Sequence, residues 1–217
     1  MADEGVWRTV RGRRIFIAKG QSLSDAIKES GKFERKLTAN LIRMSQDEET
    51  WEEYDKTVVA IQEQYGLDDK EVEAINSYTD EDYKRINNDL ANEGYDKSMV
   101  KEKIDVIDSA LDKMPDEKGL SFSGRKEDLY ISKDDIGKTV QMDAFISSSK
   151  SSSAYTVMMG SKWLSVIEGK HGKLISPMSK YPYENEVLFK RGTKFKITRF
   201  VEKGLGNIPN VYMEEVD

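Results

Sequence analysis

The pattern of the chain changes abruptly at Gly119. Before it, apolar residues recur every three or four positions, which is typical of amphipathic helices. After it, short β-branched and aromatic runs alternate with Gly, Ser, Lys and Pro. Helices followed by strands predict an α+β fold with an antiparallel or mixed sheet. We expect a basic β-hairpin and helical extension over residues 1–66 and one main domain over 67–217, with helices at 67–118 and the β core at 119–217.

Individual elements follow from the same patterns. The segment Val6 to Ile17 predicts a hairpin that turns at Gly12. Helices are predicted at 26–36, at 47–65, from about residue 69, from residue 80, and at 100–114, where Pro115 ends the last one. Strands are predicted at 120–123, 139–147, 163–167, 173–175, 186–189, 195–201 and 211–213.

The composition of the chain excludes several kinds of catalytic and metal site. The chain has no cysteine, which removes thiol catalysis and thiolate metal sites, and its single histidine, His171, cannot form a multi-histidine zinc site. Residues 67–118 carry 16 acidic and 8 basic side chains, whereas residues 119–217 carry 15 basic and 12 acidic ones. The strand-rich half is therefore better suited to an anionic ligand, but its small excess of charge does not indicate nucleic-acid binding. No apolar run is long enough for a membrane span.

Three polar features of the strand-rich half could carry chemistry. Ser147, Ser148 and Ser149 follow directly on an apolar strand, although a flexible linker would also explain a serine run. Glu184 and Glu186 precede a Val-Leu-Phe run, and at i and i+2 of a strand they would project from one face. The alternative for these glutamates is a solvated sheet edge.

The third feature is Arg125, at the end of the predicted strand Gly119-Leu-Ser-Phe-Ser-Gly-Arg125. Its guanidinium could offer a planar fork to a pyrophosphate, and a surface arginine in a turn is the alternative.

In this order and spacing, the three features resemble the ADP-ribosyltransferase exoenzymes, a family that includes the clostridial binary actin-modifying toxins. Residues 74–79 and 83–87 are similar to that family's usual first helices. Its S-T-S element resembles Ser147-Ser148-Ser149, with serine at the centre, and its E-x-E element resembles Glu184-Asn185-Glu186. The resemblance covers roughly residues 68–217. It implies that family's fold, in which N-terminal helices pack on a mixed, mostly antiparallel two-sheet β core.

The resemblance implies a toxin-like, NAD-dependent mono-ADP-ribosyltransferase of the R-S-E type, which transfers ADP-ribose to an arginine of a target protein and releases nicotinamide, with NAD glycohydrolase as a side activity. By resemblance, Glu186 is the catalytic carboxylate, Ser147 orients it, and Glu184 receives the arginine acceptor. Arg125, Ser147, Ser148 and Ser149 would bind NAD, which is a substrate here, and no metal is needed.

One departure from the family pattern concerns the expected arginine. The family has an aromatic residue, an arginine and a glycine at the end of its first strand, and this register places Ser123 at the arginine position. We expect Arg125, two places later on the same face, to take that role. If Arg125 cannot take that role, NAD binding would be weak. Ser123 at the arginine position also supports an alternative, a catalytically degenerate binding module with this fold.

The N-terminal hairpin resembles segments of phage head-morphogenesis proteins, which suggests a phage-derived origin and offers a phage head-associated structural protein as a further alternative. The expected partners are NAD and an unidentified target protein, without nucleic acid or a membrane span. The N-terminus lacks the pattern of a secretory signal peptide. We therefore expect synthesis in the bacterial cytoplasm, followed by export or virion association through a route other than the general secretory one.

Overall fold

A computed structural model describes residues 5–10, 13–18, 20, 51–150 and 160–217 of the 217-residue chain. It contains four α-helices and nine strands within those residues. The helices are α1 (Trp51–Tyr65), α2 (Asp69–Ser77), α3 (Tyr83–Asn92) and α4 (Lys101–Lys113). The strands are β1 (Gly5–Val10), β2 (Arg13–Ala18), β3 (Glu117–Arg125), β4 (Thr139–Gln141), β5 (Ile146–Ser149), β6 (Trp163–Leu174), β7 (Glu186–Phe189), β8 (Lys194–Val201) and β9 (Asn210–Val216).

The expected α+β order is confirmed, with four helices preceding the strands of the β core. Strands β1 and β2 pair antiparallel, as the predicted hairpin requires. The helix predicted at 26–36 lies outside the described residues. A π-helical turn at Tyr78–Asp82 joins α2 to α3, so these two predicted helices form one continuous, locally widened helical run. The domain boundary at residue 66 stays a prediction.

The ends of the helices follow from their sequences. Gly66 stops α1, because its φ of 69° is easily adopted by glycine and its N–H reaches back to the carbonyl of Gln62 at 2.8 Å. Asp68 begins α2 with a capping box. Its Oδ1 accepts from the N–H of Glu71 at 2.9 Å, while the Glu71 carboxylate accepts from the N–H of Asp68 at 2.9 Å.

Seven strands form one hydrogen-bonded set in the order β3-β5-β7-β6-β9-β8-β4. The long strand β6 joins its two parts, because residues 164–168 pair with β9 while Lys173 and Leu174 pair with β7. The β6–β9 pairing is parallel and the others are antiparallel, as expected for a mixed, mostly antiparallel core. The two predicted strands at 163–167 and 173–175 are therefore one, while the predicted strand at 139–147 is interrupted between β4 and β5.

Helices and strands share one apolar cluster. It joins Ile61 of α1, Ile75 and Tyr78 around α2, and Ile86 of α3 to residues from the strand half. The latter are Phe145, Ile175, Met178 and Leu188, which flank the serine and glutamate motifs in sequence. This shared core fixes the helices against the strands that carry those motifs.

A row of acidic residues along α4 and just beyond it meets basic residues of the β core. Asp108 pairs with Arg191 at 2.7 Å, Asp112 with Lys190 at 2.8 Å, and Asp116 with Lys173 at 2.7 Å. Asp108 and Asp112 are four residues apart and lie on one side of α4, whereas Asp116 follows the helix, whose C-cap Met114 is already extended. The three pairs join α4 and the segment after it to the turn that follows β7 and to β6.

Candidate active site

The pairing of β5 with β7 brings the serines against the glutamate motif. Ser149 lies opposite Glu186, and Ser147 lies opposite Leu188. Ser148 and Ser149 are buried and Ser147 is half-buried. These three serines therefore belong to the sheet, and the linker interpretation is wrong for them; residues 151–153 lie outside the described residues.

Glu186 is a buried carboxyl at the start of β7, with only 6% of its surface exposed. Burial raises the pKa of Glu186 to about 7, because a carboxylate loses its hydration inside the protein. A hydrogen bond from Ser147 opposes this rise by stabilising the anion, and the neighbouring charge of Glu184 adds to it. A carboxyl with a pKa near neutrality is well suited to a catalytic role.

The backbone between the two glutamates differs from the expectation that they share one strand. Glu184 ends a short 3₁₀ helix, Pro182–Glu184, and Glu186 begins β7. Asn185 between them is left-handed, with φ 50° and ψ 46°, a conformation that asparagine tolerates better than most residues. The prediction that both carboxylates project from one face of a strand is therefore wrong. Glu184 is half-buried, and burial raises its pKa.

The main-chain carbonyls of this turn are all held by neighbouring segments. The Ser149 hydroxyl donates to the carbonyl of Glu184 at 2.6 Å, and the N–H of Lys150 donates to that of Asn185 at 3.1 Å. The N–H of Ile175 donates to the carbonyl of Glu186 at 3.0 Å. These three bonds fix the path of the chain through both glutamates.

The hydroxyls of Ser148 and Ser149 form hydrogen bonds that stabilise the sheet and the turn next to it. Ser148 Oγ lies 2.9 Å from Ser121 Oγ and 3.0 Å from the carbonyl of Val187, while Ser149 holds the carbonyl of Glu184. Their expected part in NAD binding stays a prediction. Ser147 is the member of the run whose hydroxyl reaches Glu186.

Strand β3 continues through Arg125, as the expected register requires. Ser121, Ser123 and Arg125 alternate along one face. The Ser123 hydroxyl donates to the carbonyl of Ser147 at 2.7 Å. Arg125 is half-buried, and its Nε is buried without a hydrogen-bond partner among the described residues. Burial lowers the pKa of Arg125, and the nearby Glu127, Tyr130 and Tyr78 oppose that shift.

Two residues of the helical layer also reach the site, although the sequence analysis gave them no role. The fully buried Tyr78 places its hydroxyl 3.5 Å from Ser147 Oγ and 3.1 Å from Asn87 Nδ2. Burial raises the pKa of Tyr78 above its usual range. The only sequence signal for this contact was that both residues lie in the helical segments that resemble the family.

The described residues contain no group of three or more His, Asp or Glu side chains arranged to hold a metal ion. Their helices include none that is both long and apolar enough to cross a membrane.

The chain matches the family model for ADP-ribosyltransferase exoenzymes over residues 45–122 and 126–216. The unmatched gap, 123–125, runs from Ser123 to Arg125, where the chain departs from the family pattern. No curated protein sequence matches the chain.

Solved structures show the same fold. The C3 exoenzyme of Clostridium limosum is 19% identical, with a TM-score of 0.60, over 76% of this chain and 95% of that one. Exoenzyme S of Pseudomonas aeruginosa, solved with human 14-3-3 protein beta and Carba-NAD, is 20% identical, with a TM-score of 0.60, over 84% and 88%. The ADP-ribosyltransferase Vis, solved with agmatine, is 21% identical, with a TM-score of 0.55, over 70% and 76%.

The family match covers most of the chain and includes both the serine and the glutamate motifs. The fold agrees with that of the solved structures, and the serine and glutamate motifs lie on the paired strands β5 and β7. Enzymes of this family transfer ADP-ribose from NAD. The chain belongs to the ADP-ribosyltransferase exoenzyme family.

Proposed function

We propose that this chain is an active NAD-dependent mono-ADP-ribosyltransferase that modifies an arginine of a target protein. The observation that carries the proposal is the Glu186 carboxyl, which is buried at the start of β7 on the strand that pairs with the serines of β5. A carboxylate held in this way stabilises positive charge that develops nearby, since little water remains to screen it.

The chemistry begins with cleavage of the bond between the ribose C1′ and the nicotinamide nitrogen of NAD. The nicotinamide leaves with the bonding electron pair, and the ribose acquires oxocarbenium-like positive charge, as in glycoside hydrolysis. Glu186 stabilises this charge as its carboxylate. Arg125, whose Nε has no partner among the described residues, supplies a cationic fork for the diphosphate of NAD.

An arginine acceptor agrees with the position of Glu184. A guanidinium nitrogen attacks C1′, and Glu184, half-buried beside the catalytic carboxyl, takes the proton that this nitrogen loses. A carboxylate pairs with a guanidinium in a charge-assisted, bidentate manner. The structural relative Vis was solved with agmatine, a guanidinium compound, which supports the same acceptor class for this chain.

The direct test is nicotinamide release from NAD by the purified protein. The Glu186→Gln variant should lose at least about 10²-fold in rate, the scale of removing one electrostatic group from a transition state. Glu168→Gln makes the same change at an exposed position of β6 and should be silent. A Glu186→Gln rate above half the wild-type rate contradicts the assignment. A wild-type protein that binds NAD without releasing nicotinamide supports the degenerate binding module instead.

The acceptor is tested separately with agmatine as a model of arginine. The Glu184→Gln variant should lose transfer of ADP-ribose to agmatine but keep most NAD hydrolysis, because water can replace the acceptor. Equal loss of both activities contradicts a role confined to the acceptor. Modification of asparagine or cysteine in a target protein, detected by mass spectrometry, would overturn the arginine assignment.

A further inference from the structure

The proposed mechanism does not use the buried hydroxyl of Tyr78. This residue opens the π-helical turn between α2 and α3, and none of its side chain is exposed. Its Oη lies 3.1 Å from Asn87 Nδ2 and 3.5 Å from Ser147 Oγ. A buried hydroxyl that joins a helix to the serine beside the catalytic carboxyl calls for a functional explanation.

The hydrogen bonds in this group can all run towards Glu186. The Asn87 Nδ2 atom can only donate, so the Tyr78 oxygen accepts from it, while either hydroxyl of the Tyr78–Ser147 pair could be the donor. With Tyr78 as the donor, Ser147 Oγ accepts, and its own proton is free to bond the Glu186 carboxylate. Asn87, Tyr78, Ser147 and Glu186 thus form a chain of donors that ends on the carboxylate.

The ring of Tyr78 is held in place on two sides. It makes edge contacts with Phe145, at 5.7 Å between ring centroids, and with Tyr83, at 6.5 Å. Phe145 directly precedes β5, so the same contact positions the strand that carries Ser147. The phenolic oxygen therefore cannot leave Ser147 without disturbing the apolar core.

We propose that Tyr78 is a positioning residue, whose hydroxyl is held by Asn87 and turns the Ser147 proton onto the Glu186 carboxylate. Its effect on catalysis rests on the proposed function, whereas its effect on Glu186 does not. The charged groups that act on this cluster are Glu184, which faces Glu186, and Arg125, which faces Tyr78. The anionic form of Glu186 depends on the Ser147 proton to offset both burial and Glu184.

The test removes the hydroxyl and keeps the ring. In Tyr78→Phe, the titration of Glu186 is followed directly through its carboxyl carbon by ¹³C NMR, with the signal assigned by its loss in Glu186→Gln. The midpoint should rise by roughly half a pH unit or more, because a weaker bond to the anion favours the protonated form. Tyr95→Phe removes a hydroxyl that bonds Asp105 instead, and should leave the midpoint unchanged.

A second variant tests the direction of the donor chain. Asn87→Leu removes the donor to Tyr78, so it should raise the Glu186 midpoint by part of the Tyr78→Phe effect. The double variant should then add nothing beyond Tyr78→Phe, because both changes act through one hydroxyl. Fully additive shifts, or a midpoint in Tyr78→Phe equal to that of the wild type, overturn the proposal.

Activity supplies an independent measurement. In Tyr78→Phe, the acidic limb of kcat/KM for nicotinamide release should move in the same direction as the NMR midpoint, and the KM for NAD should stay unchanged. A KM effect alone would make Tyr78 a binding residue and contradict the positioning role. A wild-type protein without nicotinamide release contradicts the proposed function, and the NMR titration still decides the role of Tyr78.

Discussion

The Ser123 hydroxyl donates a 2.7 Å hydrogen bond to the main-chain carbonyl of Ser147, so a side chain of β3 ties that strand to the serine beside Glu186. Ser123 is only 6% exposed, and it occupies the position at which the family pattern places arginine. An arginine there would lose this bond and need room for a buried cation. The next position on the same face, Arg125, is half-buried, and its Nε has no hydrogen-bond partner in the part of the chain that the structure describes.

We therefore expect Arg125→Ala to raise the Kd for NAD by about 10-fold or more, since a charge-assisted hydrogen bond contributes about 1.5–3 kcal/mol. Lys126→Ala, at the next and exposed position, is the matched control. Isothermal titration calorimetry measures both. Unchanged affinity in Arg125→Ala contradicts the role of Arg125 but leaves that of Glu186 intact.

The reciprocal change is Ser123→Arg. It should lower the melting temperature and leave NAD binding no stronger, because the buried position cannot accept a guanidinium without displacing Ser147. Thermal unfolding and the same calorimetric titration check it. Tighter NAD binding in this variant would instead indicate that position 123 is the arginine position of the family and that the chain is a degenerate enzyme that has lost this arginine.

The raised pKa of Glu186 predicts how stability depends on pH. The folded protein holds the Glu186 proton up to about pH 7, whereas an unfolded chain releases it near 4.5. The Glu186 carboxyl therefore does not reduce the free energy of unfolding below about pH 4.5. It reduces that free energy progressively as the pH rises to about 7. Glu186→Gln removes this penalty, so it should be more stable than the wild type at pH 8, by about 3 kcal/mol, and equally stable at pH 4.5.

Urea unfolding of both proteins at several pH values measures this difference. Glu168→Gln, exposed on β6, should show no such trend. A gap between Glu186→Gln and the wild type that does not change with pH would mean that Glu186 does not titrate in this window.

The same carboxyl predicts the pH dependence of activity. Because Glu186 acts as a carboxylate, kcat/KM for nicotinamide release should rise with pH and level off above about pH 7, the pKa of the free enzyme. The measurement is a rate profile from pH 5 to pH 9 at NAD concentrations well below KM. A profile that is flat from pH 5 upwards would contradict either the pKa or the role.

The row of ion pairs between α4 and the β core predicts a stability effect. Arg191 donates to Asp108 and stacks over the ring of Tyr95, with 3.9 Å between its Cζ and the ring centroid. Arg191→Met should lower the free energy of unfolding by about 2–3 kcal/mol, because Asp108 is then left largely buried and unpaired. Adding Asp108→Asn should recover part of the loss, and urea unfolding checks both variants.

The exposed pair Lys133–Glu202 offers a comparison for that experiment. Lys133→Met should change the free energy of unfolding by less than about 1 kcal/mol, since an exposed pair is screened by water. Similar losses at both sites would show that burial of Asp108 is not the cause.

The sequence patterns predicted the order of the elements well, because helix and strand periodicities reflect burial directly. They failed at β6, where two separate strands were predicted, at 163–167 and 173–175, with Gly169 and Gly172 between them. Both glycines instead lie within a continuous strand, beneath the ring of Phe189. A Cβ on Gly169 would come within 2.6 Å of Phe189 Cζ, so these glycines are required by packing across the sheet. A contact between residues so distant in sequence leaves no local signal.

The site was predictable where a motif carried it and not where it depended on tertiary contacts. The motifs indicated that the serine run and Glu186 belong to one site, and β5 and β7 hold them on paired strands. The left-handed Asn185, which separates the two glutamates, depends on three carbonyl bonds from other segments. The position of Tyr78 at the site could not be predicted for a similar reason. Its side chain follows the helical spacing of a core residue, and only its hydroxyl reaches the site.

The apolar cluster that joins helices to strands has a consequence for local unfolding of the protein. Phe145 and Leu188, which lie close in sequence to Ser147 and Glu186, are packed with Ile75 and Ile86 of the helices. One face of the site strands is therefore packed on the helices, while Ile146, Val187 and Phe189 belong to a second cluster within the β core, so that loosening of the helices uncovers the first face of those strands. Native-state amide exchange at Phe145 and Leu188 should accordingly keep pace with exchange at Ile75 and Ile86, as in a single cooperative unit.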